Sequence, residues 1–433
     1  MFWELNSDSE KILGTVISEN FRRKKSLPSD DFPFDRRRQL QINKVILMQT
    51  APIPMPSPLV SIRRSQYAVA TLFLILGFNF STWAARIPAL KMQLNLSTAE
   101  VGVLLLSGGL GAVFSFPITA GLLHKLGARR LCILAGAILP ALLICLAYAP
   151  NYPIAMTCMV IEGIVISCLN VAMNAKGVEI ELVGAQPIMS RLHAIFSLGS
   201  LLAAAFASAI TLMTDSLIAH FLISALILWL GLGICIPHLL DDVADPLNNK
   251  HKNPIEFPSS MALWLGLIAF SGTIIEGAMS DWSALYLKEV TGASAQMAPM
   301  GIVSVAGSMF LARWFGDSAR ATWNPKMILT VGGMLASAGL AFALLIGGSL
   351  PALLGFSLVG LGVAAVSPCV YVAAAKNGAV ALAAVTTMGS IGALLGPPMI
   401  GFVGHATSLS WGMATIALAA IMISIFTQRV QWD

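Results

Sequence analysis

The chain has 433 residues, of which 57% are hydrophobic and only 11% charged, with a formal net charge of +5. So little polar surface cannot solvate a water-soluble globule of this size, which excludes the soluble classes. The positive balance does not point to nucleic acid, because 11 of the 26 Lys and Arg residues lie in the first 64 positions and most of the others fall in alternate loops.

Residues 1–62 are polar, charged and Pro-rich without an apolar run, so no secretory signal peptide is expected and the stretch reads as a disordered cytoplasmic extension. Met48 and Met55, just ahead of Arg63 and Arg64, offer internal starts. From Gln66 to Gln428 twelve apolar runs of about 20 residues follow, each long enough to cross roughly 30 Å of hydrocarbon as a helix. The runs beginning at Tyr67, Ala99, Leu217, Leu350 and Leu409 are representative. Unbroken runs of this kind, without period-two alternation, select helices over a barrel.

Six spans fill 66–237, a polar cytoplasmic linker occupies 238–260, and six more spans fill 261–428. The prediction is an all-α membrane protein of twelve transmembrane helices in two pseudo-symmetric six-helix bundles, 63–237 and 261–433. An internal repeat supports the division. Ser81-Thr82-Trp83 at the end of span one matches Ser280-Asp281-Trp282 in span seven at an offset of 199 residues. Arg130-Leu131-Cys132-Ile133-Leu134 after span two matches Lys326-Met327-Ile328-Leu329 at nearly the same period. Of the 15 Lys and Arg residues beyond position 64, 12 fall on the loop side that carries Arg63 and Arg64, which places both termini in the cytoplasm; the expected location is the cell inner membrane. All six cysteines lie inside apolar runs without CxxC spacing and read as small buried hydrophobes. Gly108-Gly109-Leu110-Gly111 in span two, and Gly389, Gly392 and Gly396 in span eleven, lack the preceding strand of a phosphate loop and predict close helix packing. Pro397-Pro398 predicts a kink in span eleven.

Ala312-Arg313-Trp314-Phe315-Gly316-Asp317, followed by Arg320, is similar to the Gly-Arg-x-x-Gly-Asp pattern of the major facilitator superfamily. In that family a helix-end carboxylate and arginines latch the cytoplasmic ends of the bundles, which implies a latch of Arg313, Asp317, Arg320, Arg129 and Arg130 here. The stretch from Gly121 to Arg130 resembles the first-half copy, with His124 where the family has an aspartate. Ala85-Arg86-Ile87-Pro88, Ser190-Arg191-Leu192-His193, Glu276 to Trp282 and Gly396-Pro397-Pro398 resemble the bacterial permeases of the YbjJ type, a group near the fucose/proton symporters. The likeness covers 63–430 and implies a secondary transporter with its solute site near midplane between the halves. Ala84 and Asn170 stand where the fucose symporters carry their aspartate and glutamate, so it implies neither fucose nor that family's proton site.

Ionisable side chains cost roughly 2.5–3.5 kcal/mol at the centre of a span on insertion scales, so those present are functional candidates. At 1.5 Å per residue, Glu276 lies about 15 Å and Glu162 about 12 Å from the outer ends of their spans. Both are expected to face the central cavity and carry coupling protons, with a permanently neutral acid satisfied by an interhelical hydrogen bond as the alternative. His193, at the start of span five, is a further candidate for the proton path, with local helix capping as its alternative. Asn170 and Asn174, one turn apart, join Asn79, Trp83 and Trp282 as expected solute contacts; hydrogen bonding between helices is the alternative for the amides. Arg86 and Asp281, at similar depth on spans one and seven, are expected to pair as an outer gate, against simple snorkelling of Arg86.

No nucleophile elbow, metal-ligand spacing or nucleotide motif occurs, so neither enzyme activity nor a cofactor is expected. The reading is a permease that moves a small polar or sugar-like solute by proton-coupled alternating access, a monomer whose partners are solute, protons and the lipid bilayer, without nucleic acid. A drug or metabolite exporter of the same fold, and a transport-inactive membrane sensor, are the alternatives.

Overall fold

The apolar runs fold into helices, and no strand occurs among the described residues. The computed structural model describes residues 60–184, 188–242 and 259–432, with the side chains of 60, 61, 182, 184, 190, 317–321 and 379 outside that description. Nearly all of the expected N-terminal extension and most of the linker therefore lie outside the described residues, and everything described belongs to one compact unit, Leu59–Asp433.

The helices are α1 (Val60–Ala84), α2 (Ile87–Leu94), α3 (Thr98–Ala147), α4 (Tyr152–Gly184), α5 (Met189–Ile210) and α6 (Leu217–Cys235) in the first half. In the second half they are α7 (Ser260–Glu289), α8 (Met300–Thr322), α9 (Pro325–Ile346), α10 (Ser349–Val363), α11 (Val366–Lys376), α12 (Ala379–Ala406) and α13 (Leu409–Thr427). The long α3 is two spans, because Gly127 adopts φ 79° and turns the chain between them. Span ten is broken into α10 and α11 at Ala364 and Ala365, and the described helices together supply the twelve spans of the expected fold.

Short-range chemistry fixes the joints. Pro88 opens α2, whose first amides need no partner, and Asn95 in the left-handed region (φ 54°) closes it. Ser97 and Glu100 form a reciprocal capping box that starts α3, with Glu100 accepting from the Ser97 amide at 2.7 Å. The first half of α3 then packs backbone against backbone on α4, since a Cβ on Gly163 would lie 1.9 Å from the Gly108 carbonyl oxygen and one on Gly111 would lie 2.1 Å from that of Val160. The glycines of the apolar helices thus serve packing, as their sequence context predicts. Pro397 and Pro398 lie inside α12, which continues on both sides of them. Cys132, Cys168, Cys235 and Cys369 are buried, but Cys145 is exposed and Cys158 half-buried.

Ser65 at the start of α1 donates to the His238 carbonyl (2.8 Å) just after α6, and Trp264 at the start of α7 lies 5.8 Å from Phe426 at the end of α13. These ends define a near side, where the first span begins and the last finishes. On the opposite, far side the two halves are clasped. Lys91 of α2 forms an ion pair with Glu289 of α7, Ser208 of α5 donates to the Gln296 carbonyl, and the Gln296 amide donates to the Thr211 carbonyl (3.1 Å). Gly102 of α3 and Gly401 of α12 meet there so closely that a Cβ on Gly102 would lie 3.0 Å from the Gly401 Cα. Toward the near side, by contrast, Asn170 of α4 and Thr386 and Thr387 of α12 are exposed.

Candidate functional site

Two polar layers lie inside the apolar band. The one nearer the far side belongs to the first half. Asn79, one turn before Trp83 on α1, donates from Nδ2 to Glu162 Oε1 of α4 at 2.6 Å, and both residues are buried. Among the described residues Glu162 has no cation at ion-pair distance, and its Oε2, Asn79 Oδ1 and Trp83 Nε1 have no hydrogen-bond partner. Trp83 and Glu162 pack with Cys158 and Met159, and Trp83 and Met159 border one small cavity that Lys91 also lines.

The second layer joins the halves. Arg313 of α8 donates from Nη2 to Glu276 of α7 (3.1 Å), from Nη1 to Ser197 Oγ of α5 (2.9 Å), and from Nε to the Ala364 carbonyl (3.4 Å). Pro368 leaves that last acceptor free, because it has no N–H to give to the Ala364 carbonyl four residues back and its ring crowds that carbonyl, breaking span ten between α10 and α11. One guanidinium thus spends its fork of donors on a carboxylate, a hydroxyl of the other half and an orphan carbonyl. Its side chain is 13% exposed and that of Glu276 26%, so the pair is screened from bulk water but reachable by it. One turn before Ser197 on α5, His193 is exposed and packs edge-on against Phe73, with ring centroids 5.2 Å apart. Asn174 donates to Asn170 Oδ1 (2.8 Å) and to its carbonyl (2.7 Å), leaving the exposed Asn170 to present the amide pair.

Several sequence expectations require correction. Arg313 is not a helix-end latch: it lies nine residues before the end of α8, about 13 Å inside it, and its charge is matched by Glu276. Asp317 and Arg320 fall outside the described side chains. Arg129 is engaged within its own half, pairing with Asp241, and Arg130 is exposed. Arg86 and Asp281 do not pair in this conformation. Arg86 lies just beyond the end of α1, within reach of the Asp215 carbonyl, to which it donates at 2.6 Å; burial holds its pKa below the usual value, partly offset by the Asp215 charge. Asp281 Oδ1 is buried without a partner, and the ion pair across the halves on the far side is Lys91–Glu289 instead. Trp282 is fully buried, as are Asn79 and Trp83, so of the expected solute contacts only Asn170 and Asn174 are accessible in this conformation. Glu276 lies 13 residues from the end of α7, about 20 Å deep, because that helix continues to Glu289. Ser197, Lys91 and Glu289 were missed altogether: the first is a plain serine in an apolar run, and the others look like ordinary charges at a membrane surface.

The sequence profile of the major facilitator superfamily matches residues 68–397. An uncharacterised MFS-type transporter of Yersinia pestis is 30% identical over 371 residues, covering 84% of this chain and 95% of its own length. The membrane protein MosC of Rhizobium meliloti is 31% identical over 377 residues, covering 84% of this chain and 89% of its own. Among solved structures, a mutant form of the nucleoside transporter NupG superimposes with a TM-score of 0.68 at 14% identity, covering 85% of this chain and 99% of that one. A variant of the fucose:proton symporter FucP of E. coli superimposes with a TM-score of 0.57 at 18% identity, over 85% and 98%. At these identities the structural neighbours speak to the fold alone, whereas the profile and the relatives cover most of the chain. The chain belongs to the major facilitator superfamily and is a multi-pass membrane transporter.

Proposed function

We propose that the protein moves a small polar solute across the cell inner membrane by alternating access, coupled to protons through Glu276, as a monomer with its near side and both termini in the cytoplasm. The observation that carries this reading is the Glu276–Arg313–Ser197 bridge, which ties a titratable acid to a contact between the two halves. With Glu276 ionised, Arg313 is matched and holds Ser197 of the first half. A proton on Glu276 removes the counter-charge, so the guanidinium must find another anion or water, and its hold on the other half changes. Solute enters from the exposed face of α4 and α12, where Asn170, Asn174 and the threonine hydroxyls offer donors and acceptors to a hydroxylated or sugar-like molecule. His193 lies one turn from Ser197 and is placed to pass protons to this layer. Glu162 serves as a second proton carrier in the layer nearer the far side.

The test begins with a thermal-shift screen of purified protein against sugars, organic acids and amines, because a ligand of the native state raises apparent stability. With the solute in hand, Glu276→Gln in proteoliposomes is expected to retain solute exchange and to lose accumulation driven by a pH gradient. A Glu276→Gln protein that concentrates solute to the wild-type level removes Glu276 from the coupling.

A further inference from the structure

Lys176 near the end of α4 is fully buried, a costly place for an ammonium group. It is matched by Glu179 Oε2 at 2.8 Å and by Asp242 Oδ1 at 2.8 Å, and also donates to the Asp241 carbonyl at 3.3 Å. Asp242 belongs to no span; it follows α6 at the point where the chain leaves for the second half. The same carboxylate accepts from the Arg129 backbone amide, at 3.0 Å to Oδ1 and 3.3 Å to Oδ2. That amide opens the second half of α3, where a helix start leaves N–H groups without intrahelical partners and favours an anion. Arg129 in turn pairs through Nη1 with Asp241 (2.5 Å), and Leu239 is buried beside them. Gly127 makes the approach possible. Its φ of 79° turns the chain, and a Cβ there would lie 2.1 Å from Asp242 Oδ2. His124, three residues before Gly127, is exposed and offers no carboxylate.

We propose that Asp242 is a positioning residue for transport: it supplies from the linker the anion that the turn between spans two and three lacks, capping the third span and neutralising Lys176. The start of the linker, the turn and the end of α4 are thereby joined into one rigid end of the first half. The chain therefore leaves the first half from a fixed point at Asp242 rather than from the end of α6. The inference does not rest on the identity of the solute or on proton coupling.

Cys132 reports on the docking. It lies one turn beyond Arg129, is fully buried, and feels the charges of both Lys176 and Asp242. In full-length protein retaining Cys132 as its one cysteine, reconstituted in liposomes, Asp242→Asn is expected to raise the rate of N-ethylmaleimide labelling at least tenfold. Lys176→Met/Asp242→Asn should return it to within threefold of the parent, because removing both charges leaves neither unpaired. Spin labels at Lys125→Cys and Asn377→Cys, exposed positions on the two halves, are measured in a second protein lacking native cysteines. Their distance distribution is expected to broaden in Asp242→Asn and to narrow again in the double variant, a recovery that simple loss of stability would not produce. Wild-type labelling and distances in Asp242→Asn overturn the docking. A double variant as reactive as Asp242→Asn overturns the charge pairing with Lys176.

Discussion

Reversing one charge of the far-side clasp gives a direct measure of how the halves are held. The Lys91 side chain is 15% exposed and that of Glu289 35%. Water screens the pair, so it contributes about 0.5–1 kcal/mol rather than the several expected of a buried one. Lys91→Met should therefore raise the ratio of far-side-open to far-side-closed protein about 2- to 5-fold, given that 1.4 kcal/mol corresponds to tenfold. Lys91→Glu adds repulsion of similar size and should raise it about 5- to 30-fold. Larger shifts are not expected, since the Ser208–Gln296 and Gly102–Gly401 contacts do not involve either charge. The assay is pulsed electron paramagnetic resonance on a cysteine-free background labelled at Met213→Cys and Leu350→Cys, which are 85% and 67% exposed at the far ends of the two halves. Lys91→Glu/Glu289→Lys restores opposite charges and should return the distribution toward wild type, and raised ionic strength should shrink the effect of each single change. A single reversal without effect, or a double reversal no closer to wild type than either single one, would show that the ion pair does not hold the halves together.

Two further changes probe the scaffold. Glu162→Gln keeps an acceptor for Asn79 and should alter unfolding free energy by under about 1 kcal/mol, whereas Glu162→Leu leaves a buried amide donor unpaired and should cost about 1–3 kcal/mol; melting in detergent separates the two, and equal losses would mean that the Asn79 hydrogen bond is not what matters. Gly163→Leu drives a side chain into the Gly108 carbonyl and should abolish monodisperse protein on size exclusion. Normal yield of this variant would show that α3 and α4 can separate at little cost.

The twelve spans were legible because lipid imposes one solution on every run of about 20 apolar residues. What depends on a side chain reaching across the fold was not. Arg313 looked like part of a loop motif because its neighbours Gly316 and Asp317 carry that pattern, yet its partner is 37 residues away on α7. The Arg86–Asp281 pair was inferred from equal depth, which fixes height in the membrane but not azimuth around the helix, and a backbone carbonyl 129 residues on took the guanidinium. Lys176 was one more charge near a cytoplasmic loop; nothing local shows that it is buried until Asp242, 66 positions later, is folded against it. The break in span ten did have a signal that the reading passed over: Pro368 cannot donate to the Ala364 carbonyl four residues back, and its ring crowds that carbonyl.

The three-way commitment of Arg313 has a kinetic meaning. Its donors point to α5, α7 and α10 at once, and a planar guanidinium cannot follow three helices that tilt by different amounts. A partial rotation breaks one of the three bonds before the others can re-form, which raises its energy above that of the state in which all three are made. Under the alternating access proposed above, the three contacts must break and re-form together, which sets a barrier between the end points of the swing.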